Sequence, residues 1–171
     1  MACILNSTGE VLLSFACQDL KSVRKDSSAF IIKRDNKFGI INLEGEQIIE
    51  DEYLEIKPTS KRHIYIAKGY DDNNYLLTKK GYKYNLGKGN FKALKPVTDD
   101  LFVLCKKSED DKKEHYIFHK NGIHLCTFKA YNVDVGNYSN TIPFGYVMAQ
   151  DSRQDPWYFV NVLNGIHYVL K

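Results

Sequence analysis

Tryptophan occurs once, methionine twice, proline four times and cysteine four times in the 171 residues of this chain. Each scarcity excludes something. Cys3, Cys17, Cys105 and Cys126 stand far apart with no CxxC pair, so neither a zinc knot nor a disulfide framework is expected. Buried, reduced thiols are the expectation instead. No apolar run approaches the roughly 18 residues of a membrane-crossing helix, and no membrane partner is expected. The opening Met1-Ala2-Cys3-Ile4-Leu5-Asn6 has neither a basic start nor a long apolar stretch, which points to a cytoplasmic protein or to one trimmed of its leader. Charge of one sign is also lacking: the net charge is only +3, too little to implicate nucleic acid. Helical periodicity is absent too, since no stretch of about a dozen residues repeats its apolar positions every 3.6.

Catalytic signatures are equally scarce. There is no GxSxG elbow and no Cys–His pair in a protease-like context. The stretch around Gly81, Gly87 and Lys88 only imitates a phosphate loop: the gap between its glycines is one residue too long, and Gly89 replaces the magnesium-binding hydroxyl. Acidic pairs such as Asp71-Asp72, Asp99-Asp100 and Asp110-Asp111 fall beside turns, where solvation explains them. No catalytic residue, no cofactor and no enzyme activity are therefore expected.

What is abundant is tyrosine, with 12 copies, and a glycine that returns in one local setting. Gly9, Gly45, Gly81, Gly122 and Gly165 are separated by 36, 36, 41 and 43 residues. Each follows a similar short run (Ile4-Leu5-Asn6, Ile40-Ile41-Asn42, Leu76-Leu77-Thr78, Ile117-Phe118-His119 and Val160-Asn161-Val162), and a second apolar run follows it. Such a period marks a repeat architecture. Hydrophobic content of 43% excludes disorder, so one all-β domain over residues 1–171 is predicted. It would hold about four and a half repeats of four short strands each. In the third repeat these strands are placed at residues 64–66, 75–78, 82–84 and 91–94. Asn121-Gly122 and Asn164-Gly165 read as two-residue hairpin turns. Pro58 and Pro96, ending the similar stretches Tyr53-Leu54-Glu55-Ile56-Lys57-Pro58 and Phe91-Lys92-Ala93-Leu94-Lys95-Pro96, each close a strand. The units form either a small propeller-like ring or an open twisted array, and a half-unit at each end favours closure.

The stretch Lys37-Phe38-Gly39-Ile40-Ile41-Asn42-Leu43-Glu44-Gly45-Glu46-Gln47-Ile48-Ile49, ending in Tyr53, resembles the bacterial WG repeat. Phe38 stands where that family has tryptophan, and Leu54 where an aspartate is common. Other copies keep only the turn glycine and the apolar positions, because Gly39 is replaced by Tyr75, Tyr116 or Phe159. The resemblance implies a β-rich repeat fold with a binding role and brings no catalytic residue with it.

Charge is blocked along the chain. Residues 44–55 carry six acids and no base; residues 79–95 carry six lysines and no acid. Lys79, Lys80, Tyr82, Lys83, Lys88 and Lys92 form a candidate partner-binding face, meeting an acidic protein such as a toxin or nuclease that an immunity protein or inhibitor would occlude. The same mixture of lysine and aromatic rings suits nucleic acid. The two blocks can instead neutralise one another, with Glu44 opposite Lys80 and Glu52 opposite Lys88. A glycan or small ligand is the further alternative, using Tyr138, Tyr146, Trp157 and Tyr158 in the last two repeats, where the loops lengthen. Trp157 reads first as a core plug. His115, His119 and His124 would share one face of a tight hairpin and offer three zinc ligands, although Asn6, Asn42 and Thr78 occupy the position of His119 elsewhere.

Overall fold

The computed structural model describes residues 2–23, 26–59, 62–96, 101–107, 112–134 and 145–169. Among these residues every regular element is a strand, as the short apolar runs between turn residues predict. Strands β1 (Ala2–Leu5) and β2 (Val11–Phe15) make a hairpin. Four sheets of four strands follow. The first holds β3 (Asp19–Val23), β4 (Asp26–Arg34), β5 (Lys37–Asn42) and β6 (Gln47–Tyr53). The second holds β7 (Glu55–Pro58), β8 (Ile64–Lys68), β9 (Asn74–Thr78) and β10 (Lys83–Gly87). The third holds β11 (Phe91–Pro96), β12 (Leu101–Lys106), β13 (Lys113–His119) and β14 (His124–Ala130). The fourth holds β15 (Asn132–Asp134), β16 (Tyr146–Gln150), β17 (Tyr158–Asn161) and β18 (His167–Val169). Each is an antiparallel meander with its strands in chain order. Pro58 and Pro96 end the edge strands β7 and β11, where a missing N–H costs no ladder bond.

Among the described residues there are therefore four complete repeats and one two-stranded hairpin. Two expectations change. Residues 91–94 open the third sheet and do not close the second. The last sheet is complete, so the half-unit expected at the C-terminal end, which had favoured closure, is not there. Two compact units are present, Met1–Lys88 and Gly89–Lys171.

The recurrent glycine sits in the last hairpin of every sheet. Its N–H donates to the carbonyl of the residue three before it in four copies: Gly9 to Asn6, Gly45 to Asn42, Gly81 to Thr78 and Gly122 to His119. The glycine is at positive φ, +81° to +90° in these four, while Asn121 is not. This is a three-residue loop with a glycine bulge, so the two-residue reading of Asn121-Gly122 is wrong. The polar residue before the turn caps it: Asn42 Oδ1 accepts the Glu46 N–H at 2.7 Å and Thr78 Oγ1 the Tyr82 N–H at 3.1 Å. A short side chain with an acceptor is what that position requires, which accounts for its Asn/Thr character. The two-residue turn with positive φ at both positions is Asp35-Asn36, at 47° and 62°, between the paired Arg34 and Lys37.

Period-2 alternation gives each sheet two apolar faces. In the first sheet Ile31 and Ile40 pack with Tyr53, Ile56, Tyr65 and Leu77, joining the first and second sheets. Ile32 and Ile41 point the other way and meet Ile4 of β1, with Leu13 and Leu20 beside them. In the second unit Val103, Ile117, Phe128, Val147, Val160 and Val162 form the core between the third and fourth sheets. Of the cysteines, Cys105 and Cys126 are buried as expected, but Cys3 is exposed. Burial pushes the Cys126 thiol up to about 11, which keeps it protonated and unreactive.

Candidate binding cleft

The basic stretch does not form one free face. Lys83 points along the rim of the first unit's core, 4.5 Å from the centre of the Tyr75 ring and 5.1 Å from that of Tyr53. Its Nζ donates to Glu52 Oε1 at 2.9 Å. The two rings meet edge to face at 6.1 Å. Burial would lower the Lys83 ammonium, but the Glu52 carboxylate and the Tyr53 hydroxyl outweigh it and hold the ammonium above its ordinary range. Burial first, and then the Glu52 carboxylate, push the Tyr53 hydroxyl up to about 12. Acid and base blocks thus meet here, with a register different from the one expected: Glu52 takes Lys83, not Lys88. Lys79 Nζ donates to Ser28 Oγ at 3.3 Å. Lys80, Tyr82 and Lys88 are exposed, and the Lys92 side chain lies outside the described residues. Lys83→Met, which keeps the stem over the rings, is expected to cost roughly 1 kcal/mol in urea unfolding. Lys83→Glu should cost more, because it sets a second carboxylate against Glu52.

The same cross-strand relation explains the histidines. Two residues after three of the turn glycines, Gly45, Gly81 and Gly122, a side chain lies on the residue six before that glycine: Gln47 over Gly39, Lys83 over Tyr75, His124 over Tyr116. His124 therefore occupies the position of Gln47 and Lys83. The register opposes it to Phe118, because a bulge interrupts the pairing after Ile117. His124 Nε2 contacts Thr127 Oγ1 at 2.8 Å, and His119 Nδ1 contacts Asn121 Oδ1 at 2.5 Å as the turn cap. His115 is buried, stacked on Phe128 at 5.5 Å, with Nε2 on the Ala130 carbonyl at 3.3 Å. Its Nδ1 has no partner among the described residues. The three rings do not converge, and among the described residues no group of side chains could hold a metal ion.

In the last two sheets the predicted aromatics separate. Tyr158 is buried, its hydroxyl donating to Asp151 Oδ1 at 2.9 Å and its ring stacked on His167 at 4.9 Å. Tyr146 is half-buried and meets Phe159 and Tyr168 edge to face. Trp157 is 37% exposed, so it is not a core plug. Tyr138 lies outside the described residues.

A cleft of about 700 Å³ opens beside these residues, lined by Lys112, Lys129, Tyr131, Asp151, Ser152, Arg153 and Gln154. Residues 151–154 belong to the connection from β16 to β17, residues 151–157, far longer than the two-residue Asp35-Asn36 turn between β4 and β5. The sequence pointed to the last two repeats, where the loops lengthen. It did not mark Lys112 and Lys129, which lie 17 residues apart and meet only because β13 and β14 pair. Arg153 Nε donates to the Tyr131 hydroxyl at 2.5 Å, and its guanidinium carbon lies 5.8 Å from that ring's centre. Lys112 Nζ pairs with Asp151 Oδ1 at 3.2 Å. Beneath the loop the buried Gln150 side chain donates to the Asp155 carbonyl at 2.8 Å and accepts from Asn132 Nδ2 at 3.3 Å. The rim is thus held in place by a polar network before any ligand arrives.

No protein-family model matches the chain, and no curated protein matches it.

Proposed function

We propose that this chain is a non-catalytic β-repeat module of the WG-like kind that binds another protein through an acidic surface. The observation that carries this reading is a departure from regularity. The sheets repeat one meander, while the connection between the second and third strands grows from two residues in the first sheet and five in the second to seven in the fourth, where residues 151–154 line a cationic cleft. Loops that depart from a rigid repeat are where binding is added. Arg and Tyr on such a rim are the residue types that anchor protein interfaces. An immunity protein or inhibitor that caps the acidic rim of an effector in the cytoplasm of a bacterium suits a small array of this kind.

The cleft takes precedence over residues 79–95 as the leading contact surface in this proposal, since Lys83, although exposed, is already committed to Glu52 and to the Tyr53 and Tyr75 rings of the first unit. Tagged protein would be used to retain partners from the source lysate at low salt and at about 0.5 M salt, with and without nuclease. One protein retained throughout, and lost on charge reversal by Lys129→Glu with Arg153→Glu, is the expected result. Recovery that disappears with nuclease would replace this reading with nucleic-acid binding. The position of the cleft within the last two repeats, with Tyr131 on its wall, favours as second reading a small anionic ligand. A change in Trp157 fluorescence on ligand addition would distinguish it.

A further inference from the structure

We propose that the cleft of the second unit is a phosphate-monoester site, on which a phosphorylated side chain of the partner docks. This rests on the protein-binding reading and adds the chemistry of what is bound. Among the described residues the lining carries three cations, Lys112, Lys129 and Arg153, against the single carboxylate of Asp151. The formal charges of these described lining residues sum to +2. The Asp151 carboxylate is itself engaged twice at Oδ1, by Lys112 Nζ at 3.2 Å and by the Tyr158 hydroxyl at 2.9 Å. It therefore orients Lys112 and does not stand as an unshielded charge against an incoming anion.

The charge selects among anions. A phosphate monoester carries about −1.5 to −2 at neutral pH and presents three acceptor oxygens. A glutamate or aspartate presents −1 and two oxygens, and leaves one cation of the cleft unmatched. A nucleic-acid diester also carries one charge per phosphate, spaced along a backbone that calls for a track of cations, whereas these three are clustered. Uncharged donors complete the match: Ser152, with its hydroxyl, and Gln154, with its amide, line the same cleft. Arginine among them is the residue type that meets phosphate through a planar fork. Its Nε contact with Tyr131 fixes the plane of that fork before binding. The cleft's volume of about 700 Å³ exceeds what one phosphate fills, so flanking residues of a peptide have room.

The whole chain would be titrated by calorimetry with four probes: inorganic phosphate, a capped tripeptide centred on phosphoserine, the same tripeptide with glutamate, and a short single-stranded oligonucleotide. Phosphate and the phosphopeptide should compete for one saturable site, with the glutamate peptide at least about tenfold weaker. Lys129→Ala and Arg153→Ala should each weaken phosphopeptide binding about tenfold or more, and Arg153→Lys should recover only part of it. Both side chains are exposed, and unchanged thermal midpoints would show that the variants fold. Absence of saturable phosphate binding, equal binding of the glutamate peptide, or full affinity in Lys129→Ala/Arg153→Ala would each overturn the phosphate site. If that double variant still retained the partner protein from lysate, the module would remain a protein binder and only the phosphate chemistry would fall.

Discussion

Gly39→Ala should destabilise the protein by about 3 kcal/mol, far more than the same change at the recurrent turn glycine Gly81. The two glycines serve different physical ends. Gly39 lies in β5, and a methyl group there would fall on the Asp51 carboxylate, 2.7 Å from Gln47 Nε2 and 2.7 Å from the Ile49 carbonyl. That carbonyl is backbone of β6 and cannot swing aside. The displaced side chains are also a network: Gln47 Nε2 donates to Ile49 O at 2.7 Å and to Asp51 Oδ1 at 2.8 Å, and Arg34 pairs with Asp51 at 3.2 Å. Overpacking therefore adds to the loss of hydrogen bonds between partly buried groups. At Gly81 an added methyl group meets nothing within 4 Å, and only the φ of +81° opposes it. That strain is worth about 1–2 kcal/mol. Urea unfolding of both variants with a common slope measures the difference. Equal losses would refute the close approach at Gly39 as the reason for its glycine.

Acidification from pH 7 to pH 4 should remove up to about 3 kcal/mol of stability through His115 alone. Burial depresses the His115 imidazole to about 4, and the nearby Lys113 charge adds to the effect. Its unfolded value is about 6.5, so above that pH both states are neutral and stability does not depend on this group. Between 6.5 and 4 the unfolded chain takes up a proton that the folded chain refuses, and stability falls by about 1.4 kcal/mol per pH unit. Below 4 both states are protonated and the loss is complete. Burial lowers His124 in the same direction. The comparison that isolates His115 is His115→Phe, which keeps a ring on Phe128 and removes both the titration and the unpartnered Nδ1. Its unfolding free energy should decline less between pH 7 and pH 4. Parallel pH profiles for the two proteins would show that His115 is not held neutral.

The legible part of the fold came from period and turn chemistry. Gly9, Gly45, Gly81 and Gly122 adopt the positive φ that a glycine bulge needs, and their spacing set the repeat length. The runs Phe30-Ile31-Ile32 and Leu101-Phe102-Val103-Leu104 are strands with both faces buried, which is why they read as continuous apolar runs without polar alternation. What could not be read was phase and register. Phe91 to Leu94 has the same strand-like composition whether it closes one sheet or opens the next. Asn121-Gly122 carries the letters of a two-residue turn, yet the bulge consumes one more residue and moves His124 opposite Phe118. Asp35-Asn36 adopts the turn expected at Asn-Gly without any glycine.

The candidate sites divide along the same line. Residues 44–55 and 79–95 were visible as charge blocks, and one pair between them, Glu52 with Lys83, forms. That Lys83 also lies against Tyr53 and Tyr75 depended on which side chains the β9–β10 pairing and the first unit's core bring to one rim. The cleft at Lys112, Lys129 and Arg153 shows no sequence clustering, because its cations come from three segments that only strand pairing and the residue 151–157 connection assemble.

An all-β repeat with a tight glycine turn in each unit follows from the order of the residues, because turn glycines, capping Asn or Thr and short apolar runs act over short distances along the chain. Which lysine is neutralised, which histidine is buried, and where cations gather around a cleft were decided by tertiary structure. Those outcomes turn on register shifts of a single residue, and one residue is enough to carry a side chain from one face of a sheet to the other.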